Sequence, residues 1–154
     1  MRNNFYLIAH NIRSLYNVGS FFRTADAFGV SKLYLTGYTG TPKNFRLSKT
    51  ALGAEKLVPW EHHKRLKGVL DKLKRQKIKI IALENNISNT TPLNKFKPKF
   101  PMALLLGEEV AGIKQGYLKS CDNIVEIPMQ GQKESLNVAV ALGIAIYHIQ
   151  RYAN

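Results

Sequence analysis

Five consecutive apolar residues, Met102-Ala103-Leu104-Leu105-Leu106, run up to Gly107 with no polar side chain among them. A strand points alternate side chains to opposite faces, so a run this uniform buries both, and sheets buried on both faces are parallel ones covered by helices. The rest of the chain supplies the matching parts. Phe5 to Ala9, Lys32 to Thr36, Lys79 to Leu83 and Ile124 to Ile127 read as four more strands. Between them lie helical patterns: Val18, Phe21, Phe22, Ala25 and Phe28 at helical spacing after Asn17, with Gly29 as the stop. A short helix is predicted over Ser48 to Ala54, a basic helix near Glu61 to Gln76 with Leu66, Val69, Leu70 and Leu73 inside, and another helix from Ile113 to Cys121. The final run, Val138 to Tyr147, is apolar nearly all round and therefore buried, with Ser135 as its natural N-cap. Pro92 to Pro101 reads as an extended connector. This alternation predicts an α/β fold with a mostly parallel five- or six-stranded sheet and helices on both faces.

At 154 residues the chain suits one domain and needs no disulfide or metal to fold. The single Cys121 cannot form an internal disulfide, and His10, His62, His63 and His148 show no ligand spacing with it, which points to a reducing, cytoplasmic setting and no metal. No stretch reads as a membrane span or a secretory leader. Charge says more. Twenty-three Lys and Arg against ten Asp and Glu give a formal +13, and between Lys43 and Lys79 twelve basic residues stand against three acidic ones. Such a balance points to a polyanion, with Lys43, Arg46, Lys49, Lys64, Arg65 and Lys67 as the candidate RNA contacts; the same density also suits a solvated helix face. Tyr34 and Tyr38, beside Gly37 and Gly40 and close to Lys43, suit base stacking next to phosphate contacts.

Ligands of open α/β sheets bind beyond the carboxyl ends of the strands. Three such ends here carry polar or glycine-containing loops: Leu83-Glu84-Asn85, Gly107-Glu108-Glu109, and Pro128 to Asn137. Neither G-x-G-x-x-G nor G-x-x-x-x-G-K-[ST] occurs, so the common dinucleotide and nucleoside-triphosphate loops are excluded by motif. Gly19 and Arg23 lie one turn apart near a helix start, where amides and a guanidinium suit an anionic guest.

Three ordered motifs span nearly the whole chain: Asn17-Val18-Gly19-Ser20-Phe21-Phe22-Arg23-Thr24-Ala25, then Leu104-Leu105-Leu106-Gly107-Glu108-Glu109-Val110-Ala111-Gly112, then Ile127-Pro128-Met129 continuing to Ser135-Leu136-Asn137-Val138. In these the chain resembles the SpoU/TrmH group of SPOUT-class RNA ribose 2′-O-methyltransferases. The resemblance implies catalytic roles for Asn17, Arg23, Glu109, Ser135 and Asn137, and S-adenosylmethionine lying against Leu83, Gly107, Ile127, Met129, Ser135 and Leu136. It further implies a C-terminal trefoil knot, a homodimer packed through the first and last helices, and a single domain over residues 1–154 with no separate RNA-binding domain, so that the basic 43–79 region meets the RNA. tRNA is favoured over rRNA, because single-domain members commonly act on it. Ala139 departs from the motif where many members carry a second serine. A guanidinium stays protonated in proteins, so Arg23 is assigned to holding phosphate and stabilising a developing alkoxide rather than to acting as the base. The rival reading is a catalytically silent RNA-binding module of the same fold, and the complete polar set argues against it.

Overall fold

The computed structural model describes residues 4–153. Seven strands, β1 (Phe5–His10), β2 (Lys32–Thr36), β3 (Trp60–His63), β4 (Lys79–Leu83), β5 (Thr91–Pro92), β6 (Met102–Leu106) and β7 (Asn123–Glu126), form one sheet in the order β3-β2-β1-β6-β4-β7-β5. Every pairing is parallel. The helices are α1 (Leu15–Ala27), α2 (Ser48–Ala51), α3 (Leu66–Arg75), α4 (Gln115–Leu118) and α5 (Val138–Gln150). The five or six strands expected become seven because both outer strands are illegible as apolar runs. β3 is Trp-Glu-His-His with half-exposed sides, and β5 is two residues long, its Pro92 being the first residue of the segment expected as a connector. The basic helix is correspondingly shorter than expected and begins at Leu66, after β3.

β6 is buried along its whole length, as its composition requires. Its side chains divide between two cores. Met102, Leu104 and Leu106 face the layer of α1, α2 and α5, where Phe21, Phe22, Leu47, Leu142 and Ile146 pack. Ala103 and Leu105 face α3 and α4, against Leu66, Val69, Leu70 and Leu118. Winding direction explains the division. Connections that move toward the β3 edge pass over the first face and those that move toward the β5 edge pass over the second, as right-handed crossovers demand. The direction reverses between neighbouring β1 and β6, and α/β sheets open a crevice at such a reversal.

Two helix starts differ from expectation, and both matter for the crevice. α1 begins two residues before Asn17: Ser14 is its N-cap, its hydroxyl accepting from the Asn17 amide at 3.2 Å, so Asn17 sits buried in the first turn. α5 is capped by Asn137 rather than Ser135, the Asn137 Oδ1 accepting from the amides of Ala139 at 2.9 Å and Val140 at 3.3 Å. Ser135 lies two residues too early to reach those amides and stays exposed in the loop.

Candidate active site

The three polar loops at the carboxyl edge do meet. Leu83, Glu84 and Asn85 after β4, Leu106, Gly107, Glu108 and Glu109 at the end of β6, and Ile127, Ser135 and Leu136 after β7 line one cleft, floored by Val138 and Ala141 of α5. Five of the six expected cofactor contacts lie on its wall, and Met129 does not. Apolar walls face three carboxylates, from Glu84, Glu108 and Glu109, and no lysine or arginine belongs to the lining.

Glu84 and Asn85, named from the sequence only as loop residues, hold the cleft in shape. Glu84 accepts from the Ile113 amide at 2.9 Å with one oxygen and from the Asn85 amide at 3.2 Å with the other, tying the β4 and β6 loops together. Gly112 makes this approach possible: its φ is +68°, and a Cβ there would fall 2.5 Å from the Glu84 carboxylate. Asn85 behaves as a strand extension, donating to the Ile127 carbonyl at 2.9 Å and accepting from the Ile127 amide at 3.2 Å, while Asn86 donates to the Glu134 carbonyl at 2.8 Å. No local signal marks these bonds, because the backbone groups they reach lie 42 and 48 residues further along the chain.

Across the β1/β6 reversal three of the candidate catalytic residues join. The Asn17 amide group donates to a Glu109 carboxylate oxygen, and Asn137 donates to the Asn17 Oδ1 at 3.3 Å. Asn137 therefore does two things at once, starting α5 and orienting Asn17. Arg23 is not part of this contact. It is exposed on α1, six residues and so about 9 Å of helix axis beyond Asn17. Gly19, expected to share an anion site with it, is instead buried against Thr50 and Ala51 of α2.

His10 ends β1 with its Nδ1 2.9 Å from the Thr36 hydroxyl and its ring edge-on to Tyr117. Burial, with Lys114 adding to it, holds the His10 pKa below the usual histidine value, opposed by Glu108. Among the described residues no cluster of three or more His, Cys, Asp or Glu could hold a metal ion, and no helix is long and apolar enough to cross a membrane.

The basic block does not form one face. Lys43, Arg46 and Lys49 belong to the α2 connection on the α1 layer, whereas Lys64, Arg65 and Lys67 begin α3 on the opposite layer. The unforeseen β3 lies between them and sends the chain from one layer to the other. All six are exposed. Lys67 is paired with Asp71 at 2.7 Å.

The fold and cleft define a parallel α/β domain whose polar contacts bridge a winding reversal. The sequence matches the SpoU rRNA Methylase family over residues 4–147, and the chain belongs to that family. It is 30% identical over 145 residues to a 23S rRNA (guanosine-2′-O-)-methyltransferase, RlmB, of Vibrio parahaemolyticus, covering 94% of this chain and 58% of that protein. The chain thus spans little more than half the length of that relative. Among solved structures it superposes with a TM-score of 0.87 on the SpoU methyltransferase AviRb of Streptomyces viridochromogenes in complex with AdoMet, at 25% identity over 98% of this chain and 58% of that one. It also superposes, with a TM-score of 0.86 and 26% identity, on a structure concerned with 2-OH methylation of C/U34 on tRNA, covering 96% of this chain and 95% of that one.

Proposed function

We propose that the chain is a methyltransferase that takes its methyl group from S-adenosylmethionine and places it on a ribose 2′-hydroxyl of RNA. The observation that carries this reading is the Asn17–Glu109–Asn137 contact, which joins the first and last helices across the winding reversal and borders the carboxylate-rich cleft. The cleft suits the cofactor chemically: Leu83, Leu106, Ile127 and Leu136 offer walls to an adenine, and the carboxylates of Glu84, Glu108 and Glu109 complement a ligand with cationic ammonium and sulfonium groups. Leu83, Gly107, Ile127, Ser135 and Leu136 would hold it. Once bound, the cofactor supplies an electrophilic methyl group.

The chain's own residues have the remaining work. Asn17, fixed by Asn137, holds Glu109 in place, leaving the second Glu109 oxygen to accept a hydrogen bond from the ribose hydroxyl. Orientation of that hydroxyl toward the cleft is the main contribution. Arg23 remains cationic and serves the phosphate beside the reacting ribose. Its distance from Asn17 within one chain suits a homodimer in which each Arg23 faces the other protomer's cleft. The exposed apolar side of α5, with Val140, Ile144 and Tyr147, supports such a dimer. The trefoil knot stays a part of the proposal, supported by the hydrogen bonds that Glu84 and Asn86 make into the loops following β6 and β7.

The preference for tRNA expected from the sequence finds no support in the curated relatives, whose names on 23S rRNA favour ribosomal RNA. Ribosomal RNA is therefore the proposed substrate. The test is transfer of labelled methyl groups to separated rRNA and tRNA. Incorporation into rRNA is expected. Incorporation into tRNA alone would overturn the substrate, and none into any pool, with cofactor binding intact, would favour the silent module.

A further inference from the structure

Glu108 and Glu109 form a ridge with a cleft on each side. The second cleft is lined by Asn11, Arg13, Ser14, Glu108, Glu109 and Val110 and shares only Glu108 and Glu109 with the cofactor wall. At its edge the Arg13 guanidinium lies 5.8 Å from the centroid of the Tyr38 ring. Both side chains are exposed, the tyrosine by 50%, and among the described residues Arg13 has no carboxylate partner.

Their mounting contrasts with that exposure. Asn11, at φ +54°, turns its side-chain oxygen to accept from the Tyr38 amide at 3.2 Å, and its own amide donates to the Thr36 carbonyl at 3.2 Å. Gly37 is held at φ +66°, where a Cβ would collide with that Asn11 oxygen at 1.9 Å. The buried Thr39 hydroxyl accepts from the Ile12 amide at 3.0 Å and reaches the Ala9 and Thr36 carbonyls. The two loops that follow β1 and β2 are thus laced together, and the product of the lacing is an exposed aromatic ring flanked by an unpaired cation. Among the described residues the one aromatic or cation–π contact of that ring is with Arg13. A pre-positioned ring and guanidinium at the mouth of a cleft match a nucleobase, which stacks on both.

We infer that Arg13 and Tyr38 form the base-stacking subsite of the RNA, seating a nucleobase on the side of the Glu108–Glu109 ridge opposite the cofactor. The inference rests on the RNA reading given above. It also gives the Asn11 side chain and the Ser14 cap a shared purpose, since the same short loop sets the platform and the start of the helix that carries Asn17.

The probes are fluorescent single-stranded hexamers, r(A)6 and a hexamer of abasic ribose phosphate, whose affinities are measured by polarisation at one salt concentration. The wild-type chain should bind r(A)6 about tenfold more tightly than the abasic strand. Tyr38→Ala should lose most of that ratio while binding the abasic strand unchanged, and Tyr38→Phe should keep it. Arg13→Ala should lower that ratio in part and, because it also removes a cation beside the strand, should lower the slope of log affinity against log salt by about 0.7, one phosphate contact. Both residues are exposed, so unaltered melting temperatures should accompany these changes. A Tyr38→Ala chain that still discriminates r(A)6 from the abasic strand like wild type would overturn the subsite. Methyl-transfer assays run alongside keep the two proposals apart. The discrimination pattern without any transfer would uphold the subsite and bring down the enzyme reading, and transfer without the pattern would do the reverse.

Discussion

α1 and α5 are each thirteen residues long, lie in the same layer and begin at the same crevice, yet their outer sides differ. α1 buries Val18, Phe21, Phe22 and Ala25 and turns Arg23 and Asp26 to solvent, as an amphipathic surface helix does. α5 buries Val138, Leu142, Ala145, Ile146 and Ile149 and still presents Val140, Ile144 and Tyr147, which are 51%, 43% and 65% exposed. Burial in one chain does not account for a helix that is apolar on its free side. The polar outer side of α1 suits an interaction with nucleic acid, and that of α5 suits a second copy of the chain. Their N-termini, joined through Asn17 and Asn137, place both surfaces around one site.

The largest effect that tests this difference falls on α1. Arg23→Ala should lower methyl transfer by two to three orders of magnitude, in the range for loss of one charge-stabilising group, with S-adenosylmethionine affinity by calorimetry unchanged. A matching loss of cofactor affinity would place Arg23 on the wrong side of the comparison. Mixing Arg23→Ala with Glu109→Gln chains should restore part of the activity, because one of the two sites in a mixed dimer would be intact; mixed dimers that stay inactive would favour self-contained sites.

On α5, Ile144→Glu with Tyr147→Glu should convert dimer to monomer in sedimentation while leaving the helical circular dichroism nearly unchanged. A smaller effect concerns the joint between the helices. Asn137→Ala should cost about 1 kcal/mol through the lost cap and also slow transfer, whereas Asn137→Ser should keep much of the cap and lose the link to Asn17. Ser135→Ala should leave the melting temperature alone, since Ser135 caps nothing, while weakening cofactor binding.

The smallest effect is the pH response of His10. Burial depresses its folded pKa, so below about pH 6.5 the unfolded chain binds a proton that the folded chain resists. Its contribution is present above that pH and is lost as the pH falls toward the depressed value. Denaturant titrations should show stability falling with acid through this window, with a shallower fall in His10→Asn.

The sequence reading succeeded where one physical signal governs an element. β6, β1 and β4 are apolar because both their faces are covered, and the Phe stripe of α1 follows a single buried side. It failed at β3, where pairing on only one edge leaves Trp60 to His63 free to be polar, with Glu61 bonded to Lys32 at 2.8 Å. The cleft was legible as three loops at strand ends. The braces from Glu84 and Asn85 were not, because their partners are backbone groups up to 42 residues away. Charge counting located the basic block without its geometry, since a count carries no information about the layer to which a residue belongs. The choice between Ser135 and Asn137 as cap fell on reach: both residue types cap well, and only the asparagine stands next to the first helical residue.

The central claim is that the methyl group goes to a ribose oxygen, and alkaline hydrolysis of the labelled RNA product tests it most directly. A 2′-O-methyl group removes the nucleophile that cleaves the adjacent phosphodiester, so the account predicts label confined to alkali-resistant dinucleotides, abolished in Arg23→Ala. Label released in mononucleotides would mean transfer to a base and would contradict it.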